Sequence, residues 1–92
     1  MVELKDTIPA MLSDDYKERF KAEYQQTKIR YRKLVNFCER IEVAADYLGV
    51  EPPKHDCPRA LLEHQLSVMS EYLFTLQKRA IIEGIDLDTL ED

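Results

Sequence analysis

The stretch "VEPPKHDC", residues 50–57, decides how this chain folds, because it cannot continue a helix. Pro52 and Pro53 lack a backbone donor, fix their own φ angle and restrict the residue before each of them. Apolar residues recur at helical spacing on both sides of the stretch. The sequence therefore predicts two helices joined by a short connector, which favours antiparallel packing.

The segment before the connector predicts a first helix at about 14–48, with Ser13 as its N-cap and Gly49 as its stop. Small and β-branched residues at 43–45 mark the place where this helix is expected to be weakest. Steps of four and three residues form a heptad seam, which is typical of coiled-coil packing. The seam consists of Phe20, Tyr24, Thr27, Tyr31, Leu34, Cys38, Ile41, Ala45 and Leu48.

The segment after the connector predicts a second helix at about 58–83, ended by Gly84. Its seam is Leu62, Leu66, Met69, Leu73, Leu76 and Ala80, and a second stripe runs beside it through Leu61, Val68 and Tyr72. This apolar face is wider than one partner helix can cover, which predicts a homo-oligomer. We therefore predict an all-α fold. An N-terminal segment (1–12) precedes an antiparallel two-helix hairpin (13–84) and an acidic tail (85–92), and the hairpins assemble as a helical bundle.

The predicted register also indicates candidate subunit contacts. If Leu48 lies level with Pro58, two residues at the same height on the two helices have residue numbers that add up to about 106. The first helix then extends past the second, and its N-terminal residues must meet residues 1–12 or another subunit. Other aromatic or apolar residues lie off the two seams. The predicted oligomer contacts are Tyr16, Phe20, Ile29, Phe37, Tyr72 and Phe74.

Positive charge is concentrated in "KIRYRK", residues 28–33, although the net charge is -5. The register of 106 places Lys78 and Arg79 level with Thr27 and Lys28. Arginine offers phosphate a planar fork and lysine a point charge, and a tyrosine ring can stack on a base. The predicted anionic-ligand site is Tyr24, Lys28, Arg30, Tyr31, Arg32, Lys33, Lys78 and Arg79. The alternative is that these cations pair with carboxylates. Arg79 could pair with Glu23, and the cations of residues 28–33, the basic band, could pair with carboxylates of a neighbouring subunit.

Composition restricts the class of protein. A chain of 92 residues holds one domain, and its acidic balance argues against binding DNA or RNA polymers. With no signal-peptide pattern and no run of ~20 apolar residues, we expect a soluble cytoplasmic protein without a membrane partner. The predicted separation of Cys38 and Cys57 predicts two free thiols in a reducing compartment.

The sequence contains few patterns that are typical of catalysis or metal binding. The chain has no nucleophile elbow, no glycine-rich phosphate loop and no HExxH pair. His55, Cys57 and His64 are of types that bind zinc, but they do not form the paired short-spaced motifs of a structural zinc site. We therefore expect a protein that is not an enzyme and has no cofactor or metal.

Two stretches resemble small helical-hairpin proteins of tailed bacteriophages. They are "DYKERFKAEYQQTKIRYRKL" (15–34) and "CPRALLEHQLSVMSEYLFTLQKRAIIEGIDL" (57–87), and the resemblance covers about residues 14–87. The matching pattern of the second helix is Leu62, Gln65, Leu66, Met69, Tyr72, Leu73, Leu76 and Arg79. The chain departs from that pattern in a longer apolar stretch at 43–50.

Phage hairpins of similar size include the anti-CBASS and anti-Thoeris sponges. The resemblance implies a compact helical oligomer that binds cyclic nucleotide signals of bacterial immunity, in the host cytoplasm and without cleaving them. The pockets of those sponges lie between subunits and use tyrosine, lysine and arginine, but no individual residue carries over to this chain. A helical adaptor or inhibitor, which binds a host or phage protein through its basic band, is the alternative.

Overall fold

Two long antiparallel helices form the body of the protein. The computed structural model describes residues 2–88 and 90, and contains helices α1 (Ile8–Met11), α2 (Tyr16–Glu42) and α3 (Arg59–Glu83). A 3-10 turn, Leu4–Thr7, precedes α1, and a π-helical segment, Val43–Leu48, continues α2. The described residues contain no strand. The prediction of an all-α fold built on a pair of long helices is therefore confirmed.

The start of α2 differs by two residues from the prediction. Asp15 is the N-cap, and its carboxylate accepts a hydrogen bond of 2.9 Å from the amide of Lys17. Ser13 instead accepts a 3.0 Å hydrogen bond from the amide of Asp15. The serine therefore shapes the turn before the helix, and the carboxylate satisfies one of the unpaired amides of the first turn.

The weak region at 43–45 widens the helix rather than breaking it. Val43–Leu48 adopts π-helical geometry and ends at Gly49, whose φ of 64° is the left-handed value that favours glycine. Bonds from i to i+5 place more residues in each turn, so the apolar seam rotates away from α3. Ala45 and Leu48 are accordingly exposed, whereas Ile41, one turn earlier on the seam, is buried.

The core lies toward the open end of the hairpin, where α2 begins and α3 ends. Leu73, Leu76 and Ala80 of α3 pack with Phe20 and Tyr24 of α2 in one buried cluster. All five residues belong to the predicted seams. The heptad spacing thus places the interhelical face correctly over this half of the hairpin.

The predicted register of the two helices is wrong. The Tyr16 hydroxyl donates to Glu83 at 2.9 Å, and the Gln77 amide donates to the Tyr24 hydroxyl at 2.9 Å. The residue numbers of these pairs add up to less than 106, so α3 lies several residues closer to the start of α2 than predicted. The connector causes the shift because it runs back along α2, which brings His55 to a ring-centroid distance of 6.4 Å from Phe37.

The sequence predicted an overhang at the start of α2, and this prediction is wrong because α3 reaches the first turn of α2. Tyr16 bonds to Glu83 of α3, and Phe20 is 3% exposed within the core. The N-terminal turn and α1 cover a different face of α2, where Gln26 donates to the Thr7 hydroxyl at 3.2 Å. Ile29 lies on that same face and is buried. Phe20 and Ile29, predicted as subunit contacts, are therefore buried within one chain.

A polar network fastens the open end of the hairpin. The Arg79 guanidinium lies 5.0 Å from the ring centroid of Phe20, donates to the Tyr16 hydroxyl and pairs with Glu83 at 3.1 Å. The hydrogen bond from Tyr16 and the charge of Arg79 lower the pKa of Glu83. At the opposite end, Arg59 donates two hydrogen bonds to Asp46, of 2.8 and 3.1 Å.

Leu76→Ala should cost about 2–5 kcal/mol of unfolding free energy, because it leaves a cavity at a site that is 1% exposed. Leu61→Ala, on the same helix but 56% exposed, is the matched control and should cost under about 1 kcal/mol. Urea unfolding followed by circular dichroism measures both losses. Equal losses would contradict the position of the core.

Glu83→Gln should reduce stability at neutral pH and lose this effect in acid. The pKa of Glu83 is lowered by folding, so its stabilisation is present above the unfolded pKa and disappears as pH falls through the folded value. Thermal unfolding from about pH 7 to pH 3 tests this prediction, because that range spans the ordinary pKa of glutamate. Glu71→Gln, on the exposed surface of α3, is the control and should show no such dependence.

Candidate functional site

A cleft opens beside the core at the open end of the hairpin. It has a volume of about 560 Å³, and its walls come from α2, α3 and the segment that follows α3. The lining residues are Tyr24, Lys28, Gln77, Ala80, Ile81, Ile85, Asp86, Leu87, Asp88 and Leu90. Two of the residues predicted as ligand contacts, Tyr24 and Lys28, therefore reach a real concavity.

The α2 wall of the cleft is held in place by Tyr24. Its side chain is 7% exposed, and its hydroxyl accepts the hydrogen bond from Gln77. The Lys28 ammonium lies 5.9 Å from the Tyr24 ring centroid, within the range of a cation–π contact. The buried aromatic ring thus supports a cation at the cleft, and little of the ring itself is available for a base to stack on.

The segment after α3 forms the opposite wall because Gly84 turns the chain back. Gly84 has a φ of 70°, and the amide of Ile85 donates to the Ala80 carbonyl at 2.8 Å. This is the Schellman arrangement, in which the residue after the glycine packs on the preceding helix. Ile85 is 6% exposed, and Leu87 and Leu90 pack against the core cluster.

Charges of both signs border the cleft. Lys28 stands on the α2 side, and Asp86 and Asp88 stand on the opposite side. Asp86 also accepts a 2.9 Å hydrogen bond from the amide of Asp88, which fixes the turn between them. The cleft therefore offers an ammonium to an anion and carboxylates to hydroxyl or amino groups, above an apolar floor.

The basic band of α2, residues 28–33, is divided between two flanks of the helix. Arg30 lies about 160° around the helix axis from Lys28, and Arg32 lies one turn further along on the Lys28 side. Arg30 and Lys33 are exposed, whereas Arg32 and Tyr31 are half-buried. Tyr31 packs against the core cluster. The structure thus places Lys28 and Arg32 on the flank of the cleft, and Arg30 and Lys33 away from it.

The two cations of α3 do not converge on that band. Arg79 is about 160° around α3 from both Gln77 and Ile81, which line the cleft. It is bound instead in the network with Tyr16 and Glu83. Lys78 is exposed and lies about 160° from both Leu76 and Ala80, which face the core. The predicted meeting of the two basic groups therefore does not occur within one chain.

Gln77 and the wall that follows Gly84 were not predicted from the sequence. Gly84 was predicted only as a helix stop, although glycine followed by an apolar residue is the usual pattern of a Schellman turn. The spacing of Ile85, Leu87 and Leu90 also indicated a packed segment rather than a solvated acidic tail. Nothing in the composition marked Gln77.

The described residues give little support for a metal site, a disulfide bond or a membrane-spanning helix. They contain no group of three or more histidine, cysteine, aspartate or glutamate side chains placed to hold a metal ion. Both cysteines are free, and burial raises the pKa of the Cys38 thiol. No helix in the described part of the chain combines the length and apolar character needed to cross a bilayer.

Comparison with known proteins gives one family. No curated protein and no solved structure matches the chain significantly. The family model described as Sequestin matches residues 14–82, which include all of α2 and nearly all of α3. The name of the family indicates the sequestration of a ligand. The match covers most of the 92 residues, so the chain belongs to the Sequestin family.

Proposed function

We propose that the protein is a phage-encoded anti-defence protein that binds a cyclic nucleotide immune signal and holds it without cleaving it. Membership of the Sequestin family supports the capture of a ligand. The observation that carries the choice of ligand is the cleft in which Lys28 faces an apolar floor and two carboxylates. The resemblance to phage sponges supports the same conclusion.

A nucleotide matches the cleft in each of its chemical parts. A phosphate binds the Lys28 ammonium through charge-assisted hydrogen bonds, which are stronger than neutral ones. A flat base packs on the apolar surface of Ala80 and Ile81, and the side-chain amide of Gln77 contacts the polar edge of the base. Ribose hydroxyls and amino groups donate to Asp86 or Asp88. A plain phosphate ion would use only the first of these contacts.

Sequestration depends on affinity and copy number rather than on turnover. The protein removes a signal by holding it away from its effector, so it needs no cofactor and no catalytic group. It acts where the signal is made, in the cytoplasm of the infected cell. A homo-oligomer supplies a further wall to a cleft that is open on one side in the single chain.

Isothermal titration of the purified protein against cyclic dinucleotides, cyclic trinucleotides and cyclic ADP-ribose isomers tests this proposal. At least one of these compounds should bind. Lys28→Ala should weaken that binding by roughly tenfold or more, because a hydrogen bond to a charged group contributes about 1.5–3 kcal/mol. Lys33→Ala removes the same charge from the other flank and is the matched control, expected within about twofold of wild type.

The ligand should also survive binding. Heat denaturation of the complex followed by chromatography should return it with its original mass. The absence of heat and of a thermal shift with every compound would overturn the proposal. A product of altered mass would show that the protein is an enzyme instead.

Exposed cations on the other flank of α2 favour a second candidate function, a helical adaptor that binds an acidic protein. Arg30 and Lys33 are exposed, and no ion pair in the described residues engages either of them. Their flank is separate from the cleft, so the two functions respond to different substitutions.

The double variant Arg30→Glu/Lys33→Glu separates these candidates. An adaptor should lose its dominant partner in a pull-down from infected cells, because two attractive charges become repulsive. A nucleotide sponge should keep its affinity in titration, since the cleft is unchanged. Loss of nucleotide binding in this variant would contradict the assignment of the site to the cleft.

A further inference from the structure

The face of α2 that the N-terminal turn and α1 cover continues toward the connector end of the hairpin. Gln26 on this face donates to Thr7, and Ile29, about one turn further on, is 7% exposed. Steps of seven residues stay on one helix face, so the face continues from Ile29 through Asn36 to Val43. Asn36 and Val43 are both exposed. The second half of the face is therefore uncovered within the described part of the chain.

A groove lies on this uncovered half of the face. It has a volume of about 660 Å³ and is lined by Asn36, Glu39, Arg40, Val43, Ala44 and Leu48. In an α-helix Leu48 would lie about 140° around the axis from Val43. The π-helical segment, Val43–Leu48, has wider turns, which bring Leu48 onto the same face as Val43. The π-helical geometry thus gives the groove an apolar end, where these two side chains expose 46% and 66% of their surfaces.

Positive charge borders the other end of the groove. Arg40 lines the groove, and Lys33 lies seven residues earlier on the same face, about 10 Å away along the axis. Both side chains are exposed, and no ion pair in the described residues engages either of them. Glu39 lies about 100° around the axis from Arg40, on the rim of the groove. The uncovered face is therefore apolar at one end and cationic at the other.

We propose that this groove binds an acidic amphipathic helix of a partner protein. Helices bind grooves of this kind by inserting apolar side chains from one face, here between Val43 and Leu48. Two carboxylates of the partner helix, seven residues apart, are also about 10 Å apart, so they reach Lys33 and Arg40 together. The face from Lys33 to Leu48 is roughly 20 Å long, which about four turns of a partner helix cover.

A second copy of this chain suits the face less well than an acidic helix does. Two-fold pairing places the same residues on both sides of the axis. Antiparallel pairing across residues 33–48 brings the two Arg40 side chains together near the axis and sets Lys33 against Leu48. Like charges that face each other weaken an interface, whereas an acidic partner neutralises both cations.

The inference rests on the adaptor function proposed above and adds the shape of the partner and the groove that binds it. The groove shares no lining residue with the cleft, so it is tested without any nucleotide. If the adaptor function holds and only the groove is wrong, Arg30→Glu/Lys33→Glu loses the partner while Leu48→Ser keeps it. The two failures are therefore distinguishable.

Fluorescence anisotropy of the full chain with a labelled synthetic peptide tests the inference. The peptide is a helix of about five turns, with leucines spaced alternately by three and four and glutamates seven residues apart beside them. It should bind with a dissociation constant of roughly 1–100 µM, as expected for a small interface. Arg40→Glu should weaken binding at least about tenfold, because an attraction becomes a repulsion. Leu48→Ser should weaken it by a similar factor, because apolar contact area is lost.

Lys54→Glu makes the same charge change on the exposed connector and is the control, expected within about twofold of wild type. A peptide with lysine in place of each glutamate should prefer Lys33→Glu/Arg40→Glu to wild type, since the charges are again complementary. Circular dichroism confirms that each variant is folded.

Three results would overturn the inference. The first is no binding of the acidic peptide up to about 1 mM, or binding that neither Arg40→Glu nor Leu48→Ser weakens. The second is binding to phosphatidylglycerol vesicles that Arg40→Glu abolishes, which would assign the face to a membrane surface. The third is self-association that the same substitution abolishes, which would assign the face to a second copy.

Discussion

The packing of Leu76 and Ala80 against Phe20 and Tyr24 is the contact on which the rest of the structure depends. Each of these four residues is at most 7% exposed, and their packing fixes how far α3 advances along α2. The connector allows this register because it runs back along α2 instead of turning sharply. Hydrogen bonds from Tyr16 and Gln77 then hold the helices in that alignment.

That alignment explains the position of the candidate site. It brings Gln77 and Ala80 level with Tyr24 and so places Lys28 at the edge of a cleft rather than beside Arg79. The Schellman turn at Gly84 then directs Ile85 onto the core and brings two aspartates opposite the lysine. A chain with net negative charge thus presents a cation within a mixed-charge cleft.

The sequence predicted the fold more completely than the site. Heptad spacing places Phe20, Tyr24, Leu73, Leu76 and Ala80 on the buried faces, because the period of apolar residues is a property of the helix itself. The register could not be predicted in the same way. It depends on the path of a proline-containing connector, and a shift of a few residues moves Arg79 from the basic band to Tyr16 and Glu83. The wall after Gly84 was predictable in principle, since its turn is local, whereas the role of Gln77 depends wholly on the register.

If an assembly of these hairpins captures a small anionic nucleotide, the protein should retain that nucleotide through purification. Native mass spectrometry of the protein, purified from bacteria in which an immune nucleotide synthase is active, detects the number of chains and the bound nucleotide together. We expect an assembly of more than one chain that carries the added mass of an intact nucleotide. A single chain without any bound small anion, from cells that contain the signal, would contradict capture by an assembly.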